Sequence, residues 1–291
     1  MTSTSDLLRS WTARLRHAGV ASPEHDARAL AAAVLAVGPV EVQLVAKIPA
    51  DERKQIAALV SRRATREPLQ HIIGSAAFVD LELEVGPGVF VPRPETESLA
   101  AYAVEWLLSR PAPQQVVDLC TGSGALALAI AARVPDVQVV GVELSPSALE
   151  YARRNLGRFR SQLQAESVEL VEADATSADL LSRLSGDIDL VVSNPPYIPD
   201  RAVPRDPEVA NYDPPMALYG GIDGLEVVRG IIPVSERLLR SGGMLAVEHG
   251  ELQGDAAGVP GVIAASSRFH SVESHRDLTG RCRFTSAVCR G

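Results

Sequence analysis

Cysteine is scarce in this sequence. Cys120, Cys282 and Cys289 are the only three in 291 residues, and no two of them form a CxxC pair. That spacing offers neither a disulfide framework nor a zinc site, so no metal is expected. His71, His249 and His275 stand apart from cysteine or carboxylate partners and read as structural. Long apolar runs are missing too. The most apolar N-terminal stretch, around Ala27 to Val37, is far shorter than a bilayer span and has charges nearby. Met1 to Ser10 carries Asp6 and Arg9 and lacks the apolar core of a signal peptide. The expectation is a cytoplasmic protein with no membrane association. Nor is there an excess of positive charge: the formal net charge is -8. A surface of that sign does not attract a polyanion, which disfavours broad nucleic-acid binding. No internal repeat or low-complexity segment is visible.

What remains is ordinary for a globular protein, with 46% apolar and 22% charged residues. The length fits one large domain or two smaller ones. Residues 1–75 read as helices. Leu8, Trp11 and Leu15 recur at helical spacing. Ser22-Pro23-Glu24 looks like a cap, a first-turn proline and a first-turn acid, and Gly38-Pro39 ends that helix. A third helix carries Ile56, Leu59 and Val60. This part shows no catalytic constellation and reads as a small bundle that recognises a partner.

The period then changes. In Phe78 to Val85, Leu81, Leu83 and Val85 alternate with Asp80, Glu82 and Glu84, which predicts a half-buried strand. Gly86-Pro87-Gly88 is a turn, and Val89-Phe90-Val91 can return as a second strand. Residues 76–92 are therefore expected to be a hairpin linker, with the main domain at 93–291. Pro92-Arg93-Pro94-Glu95-Thr96-Glu97 opens a helix whose two acids complement its dipole. From Gln115 onward strands and helices alternate, with strands predicted at 116–119, 137–142, 168–171, 188–192 and 244–248. The tail from Ser271 to Arg290 looks like a terminal hairpin. Such alternation predicts an α/β fold, a doubly wound sheet with helices on both faces and an antiparallel edge.

Asp118-Leu119-Cys120-Thr121-Gly122-Ser123-Gly124 ends the first of these strands and enters a helix. Gly122, Gly124 and Ala127 fit the G-x-G-x-x-G/A spacing of nucleoside-cofactor turns. Glu143 closes the next strand, 21 positions after Gly122. An acid there can hold both hydroxyls of a ribose. That pair does not separate a dinucleotide from S-adenosylmethionine. Asp174, at the end of the third strand, places a carboxylate where an adenine amino group can donate to it.

Ser193-Asn194-Pro195-Pro196-Tyr197 follows the fourth strand, at the end of the sheet where ligands bind. An amide nitrogen is a poor nucleophile, and its N–H groups must be held for the nitrogen to face a methyl donor. The Asn194 side-chain oxygen can accept one hydrogen bond and the Pro195 carbonyl another. Prolines stiffen the loop and add no donors. Tyr197 can lie flat on the planar group. No general base is needed, because a methylated amide nitrogen is acidic enough to lose its proton to water.

These motifs resemble the protein-(glutamine-N5) methyltransferases of the PrmC/HemK family. The resemblance covers nearly the whole chain. It includes Glu67-Pro68-Leu69-Gln70-His71-Ile72-Ile73-Gly74, Phe90-Val91 with Pro92 to Glu97, Asp118 to Gly124, Asn194 to Ile198, Glu248-His249-Gly250 and Arg276 to Arg281. It implies a small helical N-terminal domain of five helices, a hairpin linker and a Rossmann-like class I methyltransferase domain with a seven-stranded sheet. It implies transfer of a methyl group from S-adenosylmethionine to the glutamine of the Gly-Gly-Gln motif in class 1 peptide-chain release factors, leaving S-adenosylhomocysteine. Cys120, Thr121, Gly122, Ser123 and Gly124 would then contact the cofactor. Glu143 would hold its ribose, and Asp174 and Ala175 would lie by its adenine. Asn194 would touch cofactor and substrate, and Pro195, Pro196 and Tyr197 would line the glutamine pocket. Asn194, Pro195 and Tyr197 carry the catalytic role, while Phe90 and Arg93 border the site. The sequence departs from the family at Cys120, usually glycine, and at Ala175, often aromatic.

Rival readings stay open. A ribosomal-protein glutamine methyltransferase would use the same chemistry. An adenine-N(6) methyltransferase could use the same acceptor loop after base flipping, against the acidic net charge. A nicotinamide-dependent oxidoreductase leaves Asn194 to Tyr197 unexplained, and a non-catalytic binding module leaves both motifs idle. The protein is expected to act as a monomer. Pro199 to Gly224 is expected to be a long, structureless lid.

Overall fold

The computed structural model describes residues 3–164 and 166–290. The chain divides into two compact units. One holds the residues up to Ser75 together with Pro204–Tyr212, and the other holds Ala76–Val203 and the residues from Asp213 onward.

The first unit is a helical bundle of α1 (Thr4–His17), α2 (Pro23–Leu35), a 3-10 turn (Glu41–Leu44), α3 (Ala50–Ala64) and α4 (Leu69–Ile73). Helix α1 starts at Ser3 because the Ser3 hydroxyl accepts from the Asp6 amide while the Asp6 carboxylate accepts from the Ser3 amide. Helix α2 has Pro23 in its first turn and stops at Leu35, where Ala36 turns left-handed, ahead of Gly38. Trp11, Leu15, Leu30, Ile56 and Val60 close the core. Each such side chain stabilises the unit by roughly 1.5–3 kcal/mol when fully buried. A polar network ties Pro204–Tyr212 into this unit. Arg63 Nε donates to Asp26 at 2.7 Å and its Nη2 to Glu208 at 2.8 Å, and Arg66 Nε donates to Glu208 at 2.7 Å. Burial alone would raise the Glu208 carboxyl, but the hydrogen bonds from Arg66 and Arg63 outweigh it and hold the group below its usual range.

The second unit opens with a hairpin of β1 (Ser75–Phe78) and β2 (Leu81–Glu84). The expected pairing with Val89–Val91 does not form: the partner strand lies upstream. Pro87, Pro92 and Pro94 interrupt the downstream segment, and a proline has no N–H to give to a ladder. Val89 and Val91 are buried instead with Ala76, Val85 and Ala148. Glu97 accepts from the Val79 amide at 2.9 Å, holding the hairpin turn to the start of α5 (Thr96–Leu108).

The main sheet is built from β3 (Gln114–Leu119), β4 (Val137–Glu143), β5 (Val168–Glu172), β6 (Ile188–Ser193), β7 (Leu239–Glu248), β8 (Phe269–Arg276) and β9 (Cys282–Cys289). The spatial order is β5-β4-β3-β6-β7-β9-β8. Neighbours from β5 to β7 are parallel, and β9 runs antiparallel to both β7 and β8. This is the seven-stranded doubly wound sheet that the resemblance implies. Alternate residues face opposite layers. Val116, Val139, Leu190 and Val192 meet α5 and α6 (Ala125–Arg133), and α7 (Pro146–Phe159) adds Phe159 to the same layer. Val117, Val140, Val142 and Val191 meet the other layer, which includes Val228 and Ile231.

The connection after β6 is not structureless. It carries two short helices, α8 (Pro207–Tyr212) and α9 (Pro215–Leu218), and an isolated bridge between Ile198 and Tyr219. Proline after an extended residue presets a helical first turn, a signal that loop composition concealed. The second layer is then completed by α10 (Glu226–Leu238) and α11 (Val259–Ala264).

Candidate active site

Parallel register brings five strand ends abreast. Leu119 pairs with Val142 on one side and Ser193 on the other, Glu143 pairs with Glu172, and Ser193 pairs with Val247. The chain reverses its direction of sheet growth between β4-β3 and β3-β6, which opens a crevice at those ends.

The turn after β3 is organised by a buried acid. Asp118 accepts from the Thr121 hydroxyl at 2.5 Å and from the Ala127 amide at 3.1 Å. Burial pushes its carboxyl up to about 7 despite those bonds. Cys120 adopts φ 64, so the left-handed position usually served by glycine is kept with a side chain. Burial pushes the Cys120 thiol far up, helped by the nearby acids Glu143 and Asp118, so it stays protonated. Gly122 also has positive φ, and a Cβ built on it would meet no atom within 4 Å. The turn is therefore open on that side. The Ser123 hydroxyl is buried without a hydrogen-bond partner.

Glu143 bridges this turn to the next. Its Oε2 accepts from the Gly122 amide and its Oε1 from the Ser145 amide, both at 2.8 Å. A carboxylate has about four lone-pair sites, so roughly two remain for a pair of hydroxyls. Asp174 is exposed at the end of β5, where one oxygen accepts from the Thr176 amide and hydroxyl at 2.8 and 2.7 Å. Ala175 points its methyl into the core beside Leu180 rather than toward solvent.

The 194–197 loop follows β6 directly. Ser193 donates its hydroxyl to the Leu119 carbonyl at 2.7 Å, stitching this loop to the turn after β3. Asn194 is half-buried, and its side-chain nitrogen donates to the Thr96 hydroxyl at 3.3 Å. Pro195 is buried and Pro196 half-buried. The Tyr197 carbonyl accepts from Gln253 Nε2 at 3.0 Å. Burial, with Glu248 and Glu95 nearby, pushes the Tyr197 phenol well above its usual range. A glycine turn clamps the loop from below: a Cβ at Gly220 would lie 2.4 Å from the Pro196 carbonyl oxygen. Arg93 donates to the fully buried Asp213 carboxylate at 2.5 Å, and its guanidinium sits 4.8 Å from the centre of the Phe90 ring. Asp213 is raised to about 6 by burial, against the pull of Arg93.

Sequence reasoning missed several of these partners. Thr96 was hidden inside a motif that read as a helix start. Asp213 carried no local signal. Glu248 ends β7 and is buried, alongside Thr96 and Asn194, with Oε2 unpartnered. His249 and His275 are held by polar and ring contacts. His249 Nδ1 donates to the Gly250 carbonyl and its Nε2 meets the Thr285 hydroxyl, each at 2.9 Å. His275 stacks on Phe284 at 4.5 Å.

A seven-stranded sheet with one antiparallel strand inserted beside its edge, an acid at the end of the second strand and Asn-Pro-Pro-Tyr after the fourth define a Rossmann-like class I methyltransferase. Residues 6–74 match the PrmC N-terminal domain and residues 83–207 match the methyltransferase small domain. The release factor glutamine methyltransferase of Mycolicibacterium smegmatis is 48% identical over 288 residues, covering 99% of this chain and 98% of that one. The enzyme of the same name from Corynebacterium glutamicum is 45% identical over 289 residues, with 99% of each covered. This chain belongs to the release factor glutamine methyltransferase family. Among solved structures, the T. thermophilus 16S rRNA N2 G1207 methyltransferase in complex with AdoMet and guanosine shares the fold. Its TM-score is 0.52 at 22% identity, covering 74% of this chain and 50% of that one.

Proposed function

We propose that this protein methylates the side-chain amide nitrogen of the glutamine in the Gly-Gly-Gln motif of class 1 peptide-chain release factors. S-adenosylmethionine fits the open turn at Gly122 and the two-oxygen cradle of Glu143, and it supplies an electrophilic methyl on sulfur. The observation that carries the reading is the placement of an amide-acceptor loop on the strand next to that turn, with Ser193 bonded to Leu119. Glu143 receives ribose hydroxyls, and Cys120 to Gly124 line the cofactor. Asp174 and the backbone at Ala175 border the adenine. Asn194 Oδ1 and the Pro195 carbonyl accept the two N–H groups of the substrate amide, and Pro196 and Tyr197 confine its plane. Phe90 and Arg93 form the rim. Positioning a reactant in this way is worth at most roughly 7–11 kcal/mol of the barrier.

The test offers the purified enzyme three substrates separately with S-adenosylmethionine: an unmodified release factor, a ribosomal protein and DNA. Methylation of the release factor alone is the expected result. Methylation of the ribosomal protein alone would move the substrate to the other glutamine-modifying class. Methylated DNA would overturn the substrate class altogether.

A further inference from the structure

Glu248 occupies an unfavourable place. It is 1% exposed, its Oε2 has no hydrogen-bond partner, and a buried carboxyl with an unmet oxygen destabilises a fold. Removing such a group in favour of an apolar one is often stabilising, so stability does not account for it. Its neighbours do. Ser193 pairs with Val247, which brings Glu248 abreast of Asn194. Thr96 and the Asn194 side chain lie near enough to the carboxyl to favour its charged form, and Asn194 Nδ2 donates to Thr96 at 3.3 Å.

We propose that Glu248, with Thr96, sets which way round the Asn194 amide faces and so makes Asn194 an acceptor toward the amide to be methylated. The inference rests on the function proposed above. A hydroxyl has one proton and a carboxylate has none. With the Thr96 proton given to Glu248, the Thr96 oxygen is left to accept from Asn194, and the second Asn194 N–H goes to the carboxylate. Both Asn194 donors are then spent and Oδ1 is free for substrate. Without an acceptor at Glu248, Thr96 can donate to Asn194 Oδ1 instead. The Asn194 amide then turns over and presents N–H to N–H, which repels the substrate amide. Glu248 is a positioning residue, acting through Asn194. A protonated Glu248 permits the same reversal, so its ionisation matters. Burial, followed by the charge of Glu95, pushes it up to about 8, while Thr96, Arg283 and Asn194 pull it down. Tyr197 and Arg93 complete the charged and titratable surroundings.

The experiment compares E248L, E248Q, T96V and N194A in the full chain, with unmodified release factor as substrate and S-adenosylhomocysteine as binding probe. E248L and T96V should lower kcat by roughly 10–100-fold, the loss of one hydrogen bond to a charged group. S-adenosylhomocysteine affinity should stay within about threefold, and the E248L melting temperature should stay equal or rise. E248Q carries one acceptor oxygen and a donor, like the protonated acid, and should sit near the low-pH kcat of the wild type. Wild-type kcat should rise with pH through the ionisation of Glu248, and E248Q should lose that limb. The proposal is overturned if E248L keeps wild-type kcat while N194A is inactive. It is equally overturned if the kcat loss in E248L comes with a lower melting temperature and weaker S-adenosylhomocysteine binding, the mark of a structural role. Near-normal turnover by N194A would remove the acceptor reading itself and this inference with it.

Discussion

Replacing Glu143 by alanine should separate cofactor binding from folding. The carboxylate accepts from the Gly122 and Ser145 amides at 2.8 Å each, so it both ties two turns together and keeps lone pairs for a ribose. A hydrogen bond to a charged group contributes about 1.5–3 kcal/mol. Two ribose bonds disappear in E143A, and water takes up part of the exposed backbone amides. A net loss of about 3 kcal/mol in S-adenosylhomocysteine binding follows, roughly 150-fold in Kd. Glutamine is not a conservative substitute here. It has one acceptor oxygen, and its NH2 must face either the Gly122 or the Ser145 N–H, so E143Q should lose affinity on the same scale. Isothermal titration with S-adenosylhomocysteine at fixed salt reads the effect. A melting curve of the free protein checks the fold, where losing the two backbone bonds should lower Tm by only a few degrees, about 2–4 °C per kcal/mol. An affinity change below about fivefold in E143A would refute the assignment of Glu143 to the ribose.

Gly220→Ala should reduce kcat at least about tenfold with S-adenosylhomocysteine binding retained, because a Cβ 2.4 Å from the Pro196 carbonyl forces the acceptor loop to move. Steady-state kinetics beside a binding isotherm tests this, and unchanged kcat would count against the clamp. At Cys120, φ 64 strains any residue with a Cβ by about 1–2 kcal/mol. C120G should therefore stay within about 1 kcal/mol of wild type in urea unfolding, since relief of strain offsets lost packing and chain entropy. C120V should be clearly destabilised, and a neutral C120V would contradict the strain. Stability should also depend on pH through Glu248 and Asp118. Their folded values, about 8 and about 7, lie above the unfolded carboxyl range. Their contribution is thus full below about pH 4 and is lost as pH rises through the folded values. E248Q should flatten the slope by up to one proton, about 1.4 kcal/mol per pH unit, in melts of the free protein between about pH 5 and 8. An unchanged slope would mean that Glu248 does not titrate there.

Much of the fold was legible because its signals are local or evenly spaced. The β3 turn announced itself through Gly122 and Gly124, and Glu143 stood at a distance that one helix and one strand dictate. The alternating strands were long and valine-rich, so their order of appearance was readable. The hairpin was misread because Leu81, Leu83 and Val85 define a strand without naming its partner. Ser75–Phe78 is less apolar than Val89–Val91, and only the missing proline donors decide between them. The segment 199–224 hid two short helices behind its glycines and prolines. In the site, Asn194 was visible but its setting was not. Thr96 and Glu248 reach it from α5 and β7, 98 residues upstream in the first case, and no local pattern encodes such a meeting. Asp213 was invisible for the same reason: its Arg93 lies 120 residues away.

The 194–197 loop is proposed to hold a glutamine amide for methylation. The most direct measurement incubates unmodified release factor with enzyme and S-adenosylmethionine, then locates the product by peptide mass spectrometry. A parallel sample uses a release factor whose Gly-Gly-Gln reads Gly-Gly-Glu. One methyl group on the glutamine of the motif and none on the variant is the expected result. Methylation elsewhere on the factor, or equal methylation of the Gly-Gly-Glu protein, would contradict it.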